Sequence, residues 1–455
     1  MTYRDDEKRW KRIQDMLAAE ASGRTIRPAV SQRTLFGIPS TMEQTIERIV
    51  EQDEKERRMK QREERPRHVE HPLQPIFDER SRVLVLGSLP SPKSREVKFY
   101  YGHPQNRFWR VLAELFDEPV AITNERRRDQ LLRHHIALWD VIASCDIAGA
   151  SDASITNAVP NDLSRVFDSA PIEAVFCTGT KAADLYTRLC EPSCGIPCVK
   201  LPSTSPANAA AKLDDLVEAY RQIVPHLHEP APCTLDVADV VKLEQAIDAS
   251  GTSLAELMDR AGGALAYRVH RAQPQSRVVI LCGNGNNGGD GWVAARELAR
   301  LGHRVALITA RDAADLKAQP AHDAACAAIA ELEDLQVRIA VNPPASEVEV
   351  LMADADVVID ALLGTGFAGS TVKAPFDTWI ELANRRRAQG ARTFAADVPS
   401  GVNAQDGTAS DPCIVADETV TMIVSKPGLE SASGKPLCGK VHVAPLAYFE
   451  PLLAC

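Results

Sequence analysis

Three short stretches of the C-terminal half place oxygen atoms and glycines where a phosphate-bearing ligand could be handled. Residues 281–292 read LCGNGNNGGDGW. Gly283, Gly285 and Gly288 keep the spacing of a dinucleotide-binding loop. Glycine lets the backbone approach a phosphate and presents N–H groups at a helix N-terminus. Such a fold also wants an acidic residue about 20 positions on to hold a ribose, a place that Asp312 could fill. The loop alone points to phosphate more firmly than to a dinucleotide. Asp360 and Asp397 each end an apolar run, before ALLGTG and VPSG. With Asn287, Asp290 and Ser400 they make an oxygen-rich set suited to a hard cation. A single strand-end Asp more often caps the following turn, so the reading rests on three loops converging. A carboxylate at Asp397 is also placed to exchange a proton with a ligand hydroxyl.

A second constellation lies earlier, in GSLPSPKSREVKFYYGHPQNRFWRVL, residues 87–112. Breaking a base–sugar bond requires a base held outside the stack and a water placed under the sugar carbon. The transition state resembles an oxocarbenium ion. Asn106 could orient that water, His103 could donate to the leaving base, and Tyr100, Tyr101 or Phe108 could stack on it. The bland alternative makes the aromatics core residues of a helix start, and for Phe108 and Trp109 it is at least as strong. LPSTSPAN, residues 201–208, offers small residues and hydroxyls at Pro202, Ser203, Thr204 and Ser205 that can approach a phosphate backbone. Gly87 and Ser88 form the first loop beside it. Lys93, Arg95, Lys98, Arg107 and Arg110 would supply a local positive patch. No lysine stands where a Schiff-base nucleophile is expected, which implies plain hydrolysis to an abasic site.

These residues need a scaffold of strands that stop at polar loops. Val83–Leu86 is a continuous apolar run, as in a buried parallel strand. NRFWRVLAELF has helical periodicity, EAVFCTGTKAADLYTRL reads as strand, turn and helix, and CVKLPSTSPAN as strand, loop and helix start. After the linker-like HLHEPAPC the pattern repeats, with strands in SRVVILCG, HRVALITA, ADVVIDALLGTG and ARTFAADVPSG. Alternation of this kind is α/β, and ligands of such sheets sit at the carboxyl ends of the strands. The polar loops 283–291, 360–370 and 397–403 therefore share one edge. The expected organisation is a charged helical extension over 1–68, one three-layer α/β domain over 69–227 and a second over 228–455, with a linker at 227–233.

Bulk composition agrees. The chain has 455 residues, 45% of them hydrophobic, and a net charge of −10, so any nucleic-acid site must be a local patch. No apolar run has membrane-spanning length and the start is too charged for a signal peptide, so a soluble, cytoplasmic protein with no membrane partner is expected. Eleven scattered cysteines do not form a secreted disulfide framework. Cys190, Cys194 and Cys198 cluster, but their spacing fits no strong metal pattern, and ordinary thiols are expected.

LCGNGNNGGDGWVAARELARLGHRV, DVVIDALLGTG and ADVPSGVNAQDG, with SLAELMDRAGGALA upstream, resemble the NAD(P)H-hydrate epimerase family over essentially all of 233–455. That resemblance implies a Rossmann-like fold and interconversion of the R and S forms of hydrated NADH or NADPH. It implies substrate contacts from Asn286, Asn287, Gly288, Gly289 and Asp290, from Gly364, Thr365, Gly366, Phe367, Ala368, Gly369 and Ser370, and from Asp397. It implies potassium held by Asn287, Asp360 and Ser400, a separate NAD(P)H-hydrate dehydratase acting on the same damage, and a homodimer as one possible assembly. LVLGSLPS, YYGHPQNRFW, ALWDVIASC, NAVPNDL and LPSTSPAN resemble the uracil-DNA glycosylase superfamily over about 75–225, closest to its hypoxanthine (deoxyinosine) branch. There Asn106 is the catalytic candidate. Other branches carry Asn or Asp in the first loop where this chain has Leu89, which favours hypoxanthine over uracil and implies DNA with deaminated bases as substrate, with no cofactor. QRTLF, residues 32–36, resembles the Gln-x-x-Leu-Phe peptide that docks bacterial repair proteins on the sliding clamp. The alternative from another class is a nucleic-acid-associated or ligand-binding scaffold with one or both folds degenerate.

Overall fold

The computed structural model describes residues 66–149, 151–227 and 233–452. Gln32–Phe36, nearly all of the expected extension and the body of the linker lie outside the described residues. The chain divides into two compact units. One joins the segment ending at His71 with Ile142–Val159, and the other joins Pro72–Val141 with Pro160 onward.

The smaller unit holds a three-stranded sheet in the order β1-β4-β5, from β1 (Arg67–Glu70), β4 (Ile142–Ile147) and β5 (Thr156–Pro160). β1 runs antiparallel to β4, and it begins one residue before the end of the expected extension. A hydrogen bond of 3.1 Å from His68 to Asp146 ties the two strands on their exposed side.

The larger unit holds two parallel sheets. The first has the order β3-β2-β6-β7, from β2 (Val83–Gly87), β3 (Ile136–Asp140), β6 (Ala174–Thr178) and β7 (Cys198–Leu201). Every residue of β2 and β3 is buried, the reason Val83–Leu86 reads as an unbroken run and not as an alternation. Helices α1 (Phe108–Phe116), α2 (Asn124–Arg133), α3 (Thr180–Leu189) and α4 (Leu213–Tyr220) accompany this sheet, helices shorter than eight residues being left unnumbered. The strand order reverses between β2 and β6, so the crevice of this sheet opens beyond Gly87 and Thr178.

The second sheet has seven parallel strands in the order β10-β9-β8-β11-β12-β13-β14. They are β8 (Arg277–Cys282), β9 (Arg304–Thr309), β10 (Arg338–Val341), β11 (Val357–Ala361), β12 (Arg392–Ala396), β13 (Glu418–Met422) and β14 (Lys440–Ala444). Helices α5 (Val237–Ala249), α6 (Leu254–Ala272), α7 (Asn286–Arg300) and α8 (Ala321–Asp334) precede or follow the first strands, and α9 (Ala345–Met352) and α10 (Phe376–Ala388) the later ones. The two faces of β8 show the three layers. Val278, Ile280 and Cys282 pack with Trp292 and Leu298, whereas Val279 and Leu281 pack with Trp379 and Ile380. The order reverses between β8 and β11, which brings Gly283 and Asp360 to the same crevice.

One boundary differs from the sequence reading. The segment 283–291 is not all loop, because α7 begins at Asn286, inside the glycine-rich run. Gly288 permits this, since a Cβ there would run into the backbone carbonyl of Gly283.

Candidate functional site

Beyond β8 and β11 lies a cavity of about 750 Å³, within the range of small-molecule sites. Val240 and Val241 from α5 and Leu254, Leu257, Met258 and Ala261 from α6 form its apolar wall, with Glu244 of α5 as a carboxyl beside them. Asn284–Asn287, Asp290 and Leu362–Phe367 form the opposite side, with Asp397 and Lys426 among the other lining residues. Of the residues named from sequence, Asn286, Asn287, Asp290, Gly364, Thr365, Gly366, Phe367 and Asp397 line this cavity. Gly288 and Gly289 lie in the first turns of α7, and Ala368, Gly369 and Ser370 lie outside the lining. Asp312 is exposed and also outside it, so a ribose contact there has no support in this geometry.

Asp397 follows β12 with φ of 64°, a left-handed backbone that asparagine and aspartate tolerate better than most side chains. Strain of this kind costs roughly 1–3 kcal/mol and persists where the surroundings enforce it. Here the Asp397 N–H donates to Val420 O at 2.7 Å. Lys426, almost fully buried, donates from Nζ to Asp397 Oδ1 at 2.6 Å, to Thr421 Oγ1 at 2.8 Å and to Met422 O at 2.9 Å. Thr421 Oγ1 and the Met422 N–H also reach Oδ1, at 3.3 and 3.4 Å, so Oδ2 is left for a ligand. Asp290 lies in the same cavity under a different regime. Burial, then the charges of Asp397 and Glu244, push its pKa well above the usual carboxylate range. Burial raises Glu244 as well. The cavity thus sets an ion-paired Asp397 beside a carboxyl that burial pushes upward, two environments that move an acid and a base apart.

Below them, Asp360 is fully buried and among the described residues has no lysine or arginine beside it. Its Oδ2 accepts from the Ser400 N–H at 2.7 Å, and its Oδ1 from Ser400 Oγ at 2.6 Å and the Leu362 N–H at 3.2 Å. Burial outweighs these bonds and pushes the carboxyl up to about 6. Asn287 donates from Nδ2 to Leu363 O at 3.0 Å, while its Oδ1 is buried with no partner among the described residues. An orphaned amide oxygen, an uncompensated carboxylate and a hydroxyl form an all-oxygen set that fits a hard monovalent cation.

In the first sheet, the two halves of the candidate constellation meet. Asn106 Oδ1 accepts from Thr204 Oγ1 and from the Phe108 N–H, both at 2.9 Å, so the 201–208 loop is fastened to the candidate catalytic residue. His103 Nδ1 accepts from the Gln105 N–H at 3.1 Å, which places the proton of the neutral ring on Nε2 as a donor. Tyr101 stacks on Phe108 with centroids 3.9 Å apart and shares a hydrogen bond of 3.0 Å with Thr178 at the switch point. Phe108 and Tyr100 are buried, at 0% and 3% exposure, and Tyr100 donates to Gln74 O, whereas Tyr101 is partly exposed. Gly87 stands in register with Asp140, and a Cβ at Gly87 would run into the Asp140 carboxylate. Ser88 is buried beside it.

The loop after β7 does not begin a helix as CVKLPSTSPAN had implied; the next numbered helix starts at Leu213. Arg107 explains its shape. Its guanidinium donates to the carbonyls of Thr204, Ser205, Asn208 and Ala211. Ser203 and Ser205 close local turns, Tyr220 donates to Pro202 O, and Pro202, Ser203 and Ser205 stay partly exposed. The positive patch is correspondingly thinner than expected. Arg107 and Arg95 serve backbone carbonyls, Lys93 pairs with Glu96, and Lys98 and Arg110 are the exposed members. Among the described residues, no group of His, Cys, Asp and Glu is arranged to hold a metal ion, Cys190, Cys194 and Cys198 included. No helix there is long and apolar enough to cross a membrane.

Sequence reasoning missed Asp140, Glu244 and Lys426. Lys426 and Asp140 carried a usable signal, since each follows or ends a buried strand at the same edge as the residues that were named.

Folds and sites together define two α/β modules in one chain. Residues 254–428 match the model for the YjeF-related protein N-terminus, and residues 74–226 match the uracil DNA glycosylase superfamily. An NAD(P)H-hydrate epimerase of Pirellula staleyi is 33% identical over 43% of this chain and 84% of its own length. A bifunctional NAD(P)H-hydrate repair enzyme of Hyperthermus butylicus is 37% identical over 42% of this chain, which spans 34% of that protein. A solution structure of a candidate uracil DNA glycosylase from Methanosarcina acetivorans is 28% identical over 35% of this chain and 98% of its own, with a TM-score of 0.30. The chain belongs to the NAD(P)H-hydrate epimerase family through its C-terminal half, fused to a uracil DNA glycosylase superfamily domain.

The buried ion pair makes a direct prediction. Lys426→Met leaves the Asp397 carboxylate without its cation and should cost about 3–5 kcal/mol in urea unfolding. Adding Asp397→Asn should recover part of that loss, because the two side chains are coupled. Additive losses in the double variant would contradict the pairing.

Proposed function

We propose that the C-terminal half epimerises the R and S forms of hydrated NADH and NADPH. The observation that carries this reading is one cavity lined by a buried Asp290, whose carboxyl burial pushes up, and by an Asp397 paired with Lys426. Asp290 protonates the hydroxyl of the hydrated ring, which leaves as water while the ring nitrogen lone pair forms the iminium. A water then adds to the other face and gives its proton to Asp397, and proton exchange with solvent resets the two carboxyls. The apolar wall from α5 and α6 suits the dihydropyridine ring, and the N-terminus of α7 suits the diphosphate. Asn287, Asp360 and Ser400 would hold potassium, which would neutralise Asp360 and stiffen the loops around it.

The N-terminal module is read as a monofunctional glycosylase for deaminated bases, hypoxanthine foremost. The Asn106–Thr204 bond supports it, by tying the water-orienting residue to the strand-gripping loop. Leu89, buried in the first loop, leaves Asn106 and His103 as the polar groups of the reaction.

Both readings are tested on purified protein. Labelled duplexes with one hypoxanthine, uracil or xanthine should release hypoxanthine, and Asn106→Ala should slow this by more than about a hundredfold. Chromatographic separation of the hydrate epimers should show interconversion, lost to a similar extent in Asp397→Ala. No release and no interconversion by a folded wild-type protein would leave a binding scaffold. Potassium has its own signature. The folded-state value of Asp360 lies above that of an unfolded aspartate, so its burial favours folding below about pH 4 and this contribution is lost as pH rises through about 6. Potassium should therefore raise the melting temperature above about pH 6 and have little effect near pH 4, and Asp360→Asn should abolish the difference.

A further inference from the structure

We propose that the glycosylase half braces the wall of the epimerase cavity, with Arg126 as a positioning residue for a site it does not touch. The inference rests on the epimerase reading for its substrate, but not for its geometry. Helix α6 has two working faces. Leu254, Leu257, Met258 and Ala261 line the cavity. Glu256, Asp259 and Arg260, interleaved with them, meet α2 of the other half. Arg126 donates from Nε to Glu256 at 2.7 Å and from Nη2 to Asp259 at 2.6 Å, spanning one turn of α6. Arg260 returns the contact to Asp129 at 2.6 Å, and donates to Glu256 at 2.8 Å and to the carbonyl of Leu446, itself a cavity residue.

The chain of contacts continues past α6. The second oxygen of Asp259 accepts from Arg296 on α7, the helix whose first turn carries Asn286–Asp290. One guanidinium of the glycosylase half is thus linked through a shared carboxylate to the helix that presents the glycine-rich motif. The Arg126, Arg260 and Arg296 side chains are 21%, 10% and 14% exposed, and Glu256 and Asp259 each serve two arginines, a network in which losses are not confined to one pair. Further along α6, Arg268 and Arg271 reach Asp117 and Glu114 at 3.1 and 2.9 Å, so the docking follows the length of the helix.

The experiment uses the full chain. Epimerisation is measured against substrate concentration for wild type, Arg126→Ala, Arg126→Lys and Asp129→Asn, with amide hydrogen exchange over 254–261 in parallel. Arg126→Ala should raise KM about fivefold and leave kcat within about twofold, with faster exchange in that segment. Arg126→Lys should recover part of the KM, and Asp129→Asn should shift it in the same direction as Arg126→Ala. Unchanged KM and unchanged exchange in a folded Arg126→Ala protein would overturn the brace. If wild type does not epimerise, the epimerase reading fails by itself, and exchange over 254–261 still decides whether α2 holds α6. If Arg126→Ala does not fold, Asp129→Asn carries the same two readouts.

Discussion

A carboxylate at the end of a buried parallel strand has no bulk water to solvate it, and the fold must answer that charge by other means. Among the described residues Asp397, Asp360 and Asp140 are such groups, and their surroundings differ. Asp397 is given a buried ammonium from Lys426. Asp360 is given backbone and hydroxyl donors and still lacks a compensating charge. Asp140 lies over Gly87 at the crevice of the first sheet. These groups differ in what they can do because their surroundings differ, while strand, burial and sheet edge are much the same.

The two sheets also place their crevices by the same rule. In each, strand order reverses beside the first strand, and the loops that follow the reversed strands converge. Two different sets of edge residues can share this scaffold because the sheet supplies position only. The identity of the side chains at the edge supplies the rest.

Much of this was legible in the sequence. Val83–Leu86 and the run before Asp360 announced buried strands because a strand covered on both faces must be apolar at every position. The glycine run announced a close backbone approach, which Gly288 makes against Gly283. Other features were not legible, for physical reasons. The core reading of Phe108 is available from sequence, but that its ring lies under Tyr101 depends on packing between residues seven apart, across a turn. The role of Arg107 depends on four carbonyls about a hundred residues away, which no local pattern records. Glu244 became part of the cavity only when α5 folded over it. The start of α7 was misplaced because glycine disfavours helix in general, while at this site its lack of a side chain is what lets the helix begin.

The left-handed backbone at Asp397 sets torsional strain against charge pairing at one residue. Glycine there would relieve the strain and asparagine would bear it, but either would leave the buried Lys426 ammonium without its carboxylate. The cost of the strained backbone is smaller than the cost of an unpaired buried charge. The lysine thereby holds in place a conformation that torsional preference alone would discard.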